Sequence, residues 1–229
     1  MANSTAWDNI AARRGAVADT SVISYGHDLP TEADLRLCGD VSGKRVLDLG
    51  CGAGENAIAF ALQGAHVIAV DASTGQLQLA RQLADAADLA FLRADSIDLA
   101  IAVGLLGEVD DVDRLLRQAQ RVLRPGGAFV FSVDHPVSLA LGRDHAAPGA
   151  LPLGSYVLRR SYFDVKPATV IRDGERIDIY PRTMADIFAS LHRAGFRVDV
   201  LLEPEPVRTA DPGPQVPPIV IWRARKEGV

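Results

Sequence analysis

Apolar residues along the chain fall into short runs whose spacing alternates between that of strands and that of helices. The strand-like runs are apolar and of strand length, and they occupy residues 46–49, 66–70, 91–95, 97–103, 128–133, 196–202 and 219–222. Between them, apolar residues recur every three or four positions, most regularly over residues 111–123, which is typical of amphipathic helices. This alternation predicts an α/β fold with seven strands in one sheet.

Turn and capping residues mark where two of the helices begin and end. The helix over residues 111–123 is stopped by the sequence Arg124-Pro125-Gly126-Gly127, which leads into the fifth strand. Thr183 and Asp186 have the spacing of a capping box, so they predict the start of a helix, which then ends at Gly195.

Two segments lie outside this alternation of strands and helices. Residues 1–40 show helical rather than strand spacing. Residues 136–180 begin with loop composition and then contain strand-like stretches, among them residues 161–163 and a pair that flanks Asp173-Gly174, a dipeptide favoured in hairpin turns. We therefore expect an N-terminal helical segment, a main domain over residues 41–229, and an insertion after the fifth strand.

Composition is that of an ordinary globular domain. The chain has 229 residues, of which 48% are hydrophobic and 23% charged, so one domain with a full core is expected. Its two cysteines cannot form a multi-bridge scaffold, which favours a reducing cytoplasm. The N-terminus does not resemble an export signal, no run is long enough for a membrane span, and no metal site is predicted.

The balance of charge argues against a nucleic-acid substrate. The formal net charge is −5, whereas recognition of a phosphate backbone needs a dense basic surface. The basic residues occur in short, separated groups that we interpret as solvated surface. A nucleic-acid substrate is therefore a weak choice for this chain.

The first two strands carry the most specific chemical signal in the chain. Gly50, Gly52 and Gly54 follow the first strand directly, where glycine allows a sharp turn and lets a ligand approach the backbone. The next strand ends in Asp71, 21 positions after Gly50, which is close to the separation expected for a carboxylate that binds a ribose. The pattern predicts a nucleoside-binding crevice at the carboxyl ends of these strands.

The glycine spacing and a preceding acid distinguish between cofactors. A dinucleotide fingerprint has the form G-x-G-x-x-G, whereas here the third glycine comes one residue earlier and Asp48 precedes the first by two. The stretch Asp48-Leu49-Gly50-Cys51-Gly52-Ala53-Gly54 resembles the first motif of class I S-adenosylmethionine-dependent methyltransferases, (D/E)-x-G-x-G-x-G. Taken alone, the glycines could also belong to an unrelated strand-to-helix turn.

Two further segments resemble the same family. Asp95 and Ser96, after the third predicted strand, match the family position that contacts adenine. The fourth predicted strand contains Ala102 near its end, beside which the family binds the methionine moiety. The sequence Arg124-Pro125-Gly126-Gly127 is similar to the family's entry into its fifth strand. A histidine pair that many relatives carry after the fourth strand is replaced here by Gly107 and Glu108.

The resemblance implies a Rossmann-like, doubly wound, mostly parallel seven-stranded sheet whose last strand is antiparallel. It also implies that residues 1–40 form a lid over S-adenosylmethionine and that residues 136–180 cap the acceptor pocket. The implied cofactor contacts are Tyr25, Asp48, Gly50, Cys51, Gly52, Gly54, Asp71, Ala72, Asp95, Ser96 and Ala102. Tyr25 can equally pack the lid onto the core, and Asp48 can be a buried carboxylate that only satisfies N–H groups of the glycine loop. Tyr162 and Tyr180 are candidate acceptor contacts, although either can be hairpin packing. His135 is the candidate general base because it follows the fifth strand directly, or it only shapes the turn before Pro136.

Three functional hypotheses follow. The leading one is a cytoplasmic methyltransferase that acts on O, N or C of a small organic molecule, in specialised-metabolite biosynthesis. The second is a protein of the same fold that binds S-adenosylmethionine or its demethylated product without methylating. The third is an oxidoreductase with a nucleotide cofactor.

Overall fold

The computed structural model describes residues 3–14, 20–83, 93–143, 156–207 and 216–228. Phe91 and Leu92, which belong to the third predicted strand, lie outside these residues. In chain order the elements are α1 (Ser4–Arg13), α2 (Glu32–Leu35), β1 (Arg45–Leu49), α3 (Glu55–Leu62), β2 (His66–Val70), α4 (Thr74–Leu83), β3 (Ile97–Val103), a 3₁₀ helix (Leu105–Glu108), α5 (Val112–Val122), β4 (Leu123–Asp134), α6 (Pro136–Ala140), β5 (Leu141–Arg143), β6 (Tyr156–Leu158), β7 (Ala168–Arg172), β8 (Glu175–Ile179), α7 (Met184–Arg193), β9 (Phe196–Leu202) and β10 (Ile219–Lys226).

A central sheet carries the fold, with strand order β2-β1-β3-β4-β10-β9. The pairs β1–β2, β1–β3 and β3–β4 are parallel, and β10 runs antiparallel to both β4 and β9. The carboxyl ends of β1, β2, β3 and β4 therefore meet at one edge of the sheet, where α/β proteins bind their ligands. The mostly parallel α/β fold and the antiparallel last strand are confirmed.

The prediction of seven strands is wrong for the part of the chain that the structure describes, where the central sheet has six. Residues 93–95 form a turn instead of the end of a third strand, and Asp95 has a left-handed φ of 52°. The N–H groups of Asp95 and Ser96 donate to the carbonyls of Arg121 and Val122 at the end of α5. The backbone of residues 95 and 96 thus bonds to the end of α5 and not to a neighbouring strand.

Apolar side chains pack on both faces of the sheet. On one face, α5 and α7 cover β4 and β10, and the buried residues of α5 repeat every three or four positions, as predicted (Val112, Leu116, Ala119 and Val122). On the other face, α3 and residues 23–41 cover β1 and β3. Helices on both faces make the sheet doubly wound. None of the helices in the described part of the chain is long and apolar enough to cross a membrane.

The N-terminal helix packs against the predicted hairpin. Asp173 and Gly174 both have positive φ and join β7 to β8, so the hairpin prediction is confirmed. Ile10 of α1 packs with Ile177 of β8, and the side chain of Asn3 hydrogen-bonds the backbone N–H and carbonyl of Asp178. Of the strand region predicted over residues 156–158 and 161–163, the first part forms β6, whereas the second part forms a turn.

Candidate active site

The glycine turn lies where β1 and β2 end side by side. The N–H groups of Gly50 and Cys51 both donate to the carbonyl of Val70, at 2.8 and 3.0 Å. Gly50, Gly52 and Gly54 all have positive φ, between 55° and 86°, which other residues adopt only with strain. The chain can therefore reverse from β1 into α3 with its backbone exposed at the carboxyl edge of the sheet.

Asp71 holds the turn in place. One of its carboxylate oxygens, Oδ2, accepts the N–H of Gly52 at 2.9 Å, and the other, Oδ1, accepts the N–H of Ser73 at 2.8 Å. A carboxylate has about four acceptor positions, so further donors can still bind it. The structure thus brings Asp71 to the turn, as its sequence position predicts.

Asp48 is a buried acid with an unsatisfied oxygen. Its side chain is 2% exposed, and its Oδ2 has no hydrogen-bond partner in the described residues. Burial, together with the negative charges of Asp71 and Glu55, raises the pKa of the Asp48 carboxyl to about 7. A buried acceptor without a partner is costly, so a donor or a cation from a ligand would stabilise this arrangement.

The space beside the turn has the chemistry of a cation site. A Cβ added to Gly52 would meet a single atom within 4 Å, Oε1 of Gln76 at 3.9 Å, and that oxygen is also buried without a partner. At Gly104, directly after β3, an added Cβ would meet nothing within 4 Å. The Gln76 oxygen and the carboxylates of Asp48 and Asp71 are thus acceptors at or next to the turn, and this set fits an amino-acid ammonium, a sulfonium and ribose hydroxyls.

The other predicted contacts near the turn have different environments. Cys51 is buried within the turn, and burial raises the pKa of its thiol to about 12, so the thiol stays neutral. Ala72 is exposed next to Asp71, whereas Ala102 packs inside the core. Leu105 is the group from this region that contacts the turn, since its side chain lies 3.2 Å from a Cβ placed on Gly50.

Asp95 and Ser96 do not lie at the turn. They precede β3, so they are at the opposite edge of the sheet from Gly50 and Asp71. The Asp95 carboxylate pairs with Lys226 at 2.6 Å, and the Ser96 hydroxyl donates to the carbonyl of Arg93. The expectation that they contact adenine depended on a strand that ends at Asp95, and residues 93–95 form no such strand.

Tyr25 is fully buried and its hydroxyl is already bonded. The hydroxyl donates to Glu32 and lies 3.2 Å from Sγ of Cys38, and burial raises its pKa. The adjacent Ser24 exchanges two hydrogen bonds with Asn56 of α3, at 2.8 and 2.9 Å. The structure therefore gives Tyr25 a packing environment, with its hydroxyl directed at Glu32.

The N-terminal helix contributes residues that the sequence did not reveal. Oδ1 of Asp8 accepts hydrogen bonds from the Ser73 hydroxyl and the Gly75 N–H, which lowers the pKa of Asp8. The indole N–H of Trp7 donates to Glu108 at 2.8 Å. Helix α1 thus bonds both to the start of α4 and to the 3₁₀ helix. These contacts span more than 60 residues, so no local pattern could have shown them.

An apolar cleft lies beyond the 3₁₀ helix, on the other side from the turn. It is lined mainly by apolar side chains, which include Leu106, Val133, Leu139, Ile179 and Ile187, and its polar lining residues are Asp134, Tyr180, Arg182 and Ser190. Its free volume is only about 30 Å³, enough for one or two water molecules. Tyr162 is not part of its lining, because its hydroxyl accepts the N–H of Met184 at the start of α7.

His135 is the N-cap of α6 and is 4% exposed. Its Nδ1 accepts the N–H of Val137 at 3.2 Å, which leaves the ring proton on Nε2, 2.8 Å from Oε1 of Glu203. Both ring nitrogens are therefore engaged. Such a histidine has no free lone pair with which to take a proton from a substrate.

A protein-family model described as "Methyltransferase domain" matches residues 47–131. The demethylmenaquinone methyltransferase of Clavibacter sepedonicus is 38% identical over 125 residues, which is 48% of this chain and 49% of that protein. A ubiquinone biosynthesis O-methyltransferase of Aeromonas salmonicida is 26% identical over 183 residues, which is 71% of this chain and 75% of that protein. The chain spans about half the length of the first curated relatives it matches.

The structural comparison extends over more of the chain. The crystal structure of an S-adenosylmethionine-dependent methyltransferase from Mesorhizobium loti superimposes with a TM-score of 0.69 and 28% identity, covering 84% of this chain and 95% of that one. The family model, the relatives and this crystal structure all point to a methyltransferase, which is also what the glycine turn with its preceding acid indicates. Residues 47–131 thus match a methyltransferase domain, and the chain is similar to the class I S-adenosylmethionine-dependent methyltransferases, whose methyl donor is S-adenosylmethionine.

Proposed function

We propose that this protein transfers a methyl group from S-adenosylmethionine to O, N or C of a small, largely apolar organic molecule. The observation that carries the proposal is the position of the 3₁₀ helix. Leu105 contacts the glycine turn, and the next residue, Leu106, lines the apolar cleft. A donor at the turn and an acceptor in the cleft would thus lie on the two sides of one short element, and displacement of this element would bring the methyl group and the acceptor atom into contact.

The residues at the turn supply the binding groups for the donor. In this proposal Asp71 accepts the ribose hydroxyls. The turn over residues 50–54 lies along the amino-acid tail, and Asp48 faces the ammonium group of that tail. When bound, S-adenosylmethionine supplies a methyl group on a sulfonium, which is already a strong electrophile. The protein's task is then to hold the acceptor in line with that methyl, an advantage that can reach about 7–11 kcal/mol.

The cleft determines which acceptors fit. Its apolar lining suits an aromatic or alkyl body, and the Asp134–Arg172 ion pair at its margin offers polar contacts for one substituent. Because the free volume is about 30 Å³, the walls formed by α6, β8 and α7 must move apart before an acceptor enters. Two curated relatives are named for quinone biosynthesis, which supports an aromatic acceptor. Specialised-metabolite biosynthesis is the setting that we propose for the reaction.

Two substitutions of His135 test whether this residue is a general base or a structural group that caps α6. His135→Asn keeps a side-chain acceptor for the N-cap, whereas His135→Ala removes it at a cost of about 1 kcal/mol. Because both ring nitrogens are bonded, we expect the asparagine variant to keep near-normal kcat and the alanine variant mainly to lose thermal stability. If both variants lose turnover and the acidic limb of the pH–rate profile, which protonation of a general base produces, His135 is the base after all.

The position of Asp48 leads us to expect that cofactor affinity depends on pH. In the free protein its carboxyl has a pKa of about 7, so it is mostly protonated below that pH. A bound ammonium favours the ionised form, so the affinity for S-adenosylhomocysteine should rise between about pH 5.5 and 7.5, by at most about tenfold per pH unit. Titration calorimetry should also detect proton release on binding.

The matched variant for this measurement is Asp48→Asn, which keeps the size of the side chain and removes its titration. Its affinity should be lower near neutral pH and should change less with pH than that of the unmodified protein. Identical pH profiles for the two proteins would show that Asp48 does not face the ammonium.

A second candidate function is binding of S-adenosylmethionine, or of its demethylated product, without methyl transfer. The near absence of free volume in the apolar cleft is the observation that favours it. A screen with methyl-labelled S-adenosylmethionine over metabolite, protein and RNA pools separates the two candidates. Label in a small organic product supports methyl transfer, whereas tight cofactor binding with no labelled product in any pool supports the second candidate.

A further inference from the structure

A second cavity lies at the opposite edge of the sheet from the glycine turn. It is bounded by residues 36–39, by Lys44 before β1, by the start of β3 and β4, and by the last half of β10. Its volume is about 400 Å³, within the range of small-molecule sites, and its lining is more polar than apolar. None of the residues proposed above to hold the cofactor or the acceptor lines this cavity, so it is a separate feature of the fold.

Positive side chains dominate the cavity wall. Five cationic residues line it, and Asp98 is the one acid among the described lining residues (the cations are Arg36, Lys44, Arg124, Arg223 and Arg225). The concentration is notable because the chain as a whole has a formal net charge of −5. Cys38 also lines the cavity, but burial raises the pKa of its thiol to about 12, so it adds no negative charge.

The acids nearby neutralise only part of this charge. Asp98 pairs with Arg124 at 2.7 Å. Asp199 is shared by Arg223 and Arg225, at 2.9 and 2.7 Å. Arg36 and Lys44 form no ion pair with any described residue. The carboxylate of Glu32 accepts the N–H groups of residues 37–39 in the cavity wall, so three carboxylates lie near five cations. A surplus of about two positive charges in one concave site attracts anions.

The backbone at the cavity leaves room for a ligand. Gly39 and Gly126 both line it with positive φ, and a Cβ added to either would meet nothing within 4 Å. The shared Asp199 fixes the guanidinium groups of Arg223 and Arg225 side by side. Paired, pre-oriented guanidinium groups are well suited to bind phosphate or carboxylate oxygens.

We propose that this basic cavity, lined by Arg36, Lys44, Arg124, Arg223 and Arg225, binds a small organic anion that carries at least two negative charges, such as a diphosphate. A concave site with space for one small molecule favours such a ligand over a nucleic-acid backbone, which requires an extended basic surface. The ligand would bind about one strand length away from the glycine turn, at the opposite edge of the sheet.

The test uses pyrophosphate as the probe and titration calorimetry on the full chain. The variant is Arg36→Gln with Lys44→Gln, because neither residue has an ion pair whose loss would unfold the protein. The control is Arg114→Gln with Arg117→Gln, which removes the same charge from the exposed face of α5. We expect one pyrophosphate per chain, at least about tenfold weaker binding in the variant and unchanged binding in the control. S-adenosylhomocysteine affinity should be the same in all three proteins.

Three results would overturn the proposal: no saturable binding of pyrophosphate, equal weakening in the variant and the control, or tighter binding of a short single-stranded RNA than of pyrophosphate. Equal weakening would indicate a general effect of net charge. Tighter RNA binding would mean that the cavity is part of a larger basic surface. A crystal soaked with pyrophosphate gives an independent readout, since the anion should lie between Arg223 and Lys44.

Discussion

Replacing Gly52 with valine is expected to lower the affinity for S-adenosylhomocysteine by at least about 100-fold, which corresponds to about 2.7 kcal/mol. Gly52 lies in the middle of the glycine turn with φ +55°, and its added side chain would enter the open space beside Gln76. That is the space in which we place the cofactor. The valine would also cost about 1–2 kcal/mol of folding free energy, because its backbone is left-handed at this position.

The matched control for Gly52→Val is Gly43→Val. Gly43 lies in the turn before β1, has φ +69°, and would also place its Cβ in open space. The two variants should therefore lose similar thermal stability, and Gly52→Val alone should lose cofactor binding. Equal affinities for S-adenosylhomocysteine in the two variants would remove the glycine turn from the binding site.

Replacing Asp71 with alanine is expected to weaken S-adenosylhomocysteine binding by about 1.5–3 kcal/mol, the range for hydrogen bonds to a charged group. The variant would lose the acceptors for the ribose hydroxyls. It would also release the N–H groups of Gly52 and Ser73, which Asp71 now holds at 2.9 and 2.8 Å. Titration calorimetry measures the affinity, and circular dichroism confirms that the variant is folded.

Asp95→Ala is the informative comparison for Asp71→Ala. The family resemblance implies that Asp95 contacts adenine, whereas the structure places it at the opposite edge of the sheet, paired with Lys226. We therefore expect Asp95→Ala to bind S-adenosylhomocysteine normally. A folded Asp71→Ala protein with unchanged affinity would refute the ribose assignment, and weak binding by Asp95→Ala would contradict the position of residues 93–96.

Most of the sheet could be predicted from sequence because its strands are locally encoded. Residues 97–103 and 196–202 form strands with the predicted bounds, and the capping box at Thr183 begins α7 as expected. Each of these elements is marked by a run of apolar residues or by a cap within the same few positions. The hairpin turn at Asp173 and Gly174 is equally local, since its residue types tolerate positive φ.

The third predicted strand shows where local patterns fail. Residues 91–95 have an apolar start and an acidic end, which is the pattern that residues 66–71 also show. What differs is the tertiary environment, because the backbone of Asp95 and Ser96 bonds to the end of α5. Competition between a helix end and a sheet edge for the same N–H groups leaves no mark in the sequence.

The residues of the candidate site also fall into those that local sequence predicts and those that depend on the fold. The glycine turn, Asp48 and Asp71 are adjacent in sequence to the strands that position them, so their meeting could be predicted. His135 and Tyr25 were chosen for their residue type and place in the chain, yet each is bonded to partners that the fold supplies, Glu203 for one and Glu32 for the other. The role of Asp8 depends on α1 packing against α4, which no local pattern predicts.

The most direct test of the account is a calorimetric titration of the purified protein with S-adenosylhomocysteine, and in parallel with NAD. We expect one molecule of S-adenosylhomocysteine to bind per chain, with an affinity that falls when Gly52 or Asp71 is replaced, and no saturable binding of NAD. Binding of NAD in preference to S-adenosylhomocysteine, or no binding of S-adenosylhomocysteine by the folded protein, would contradict it.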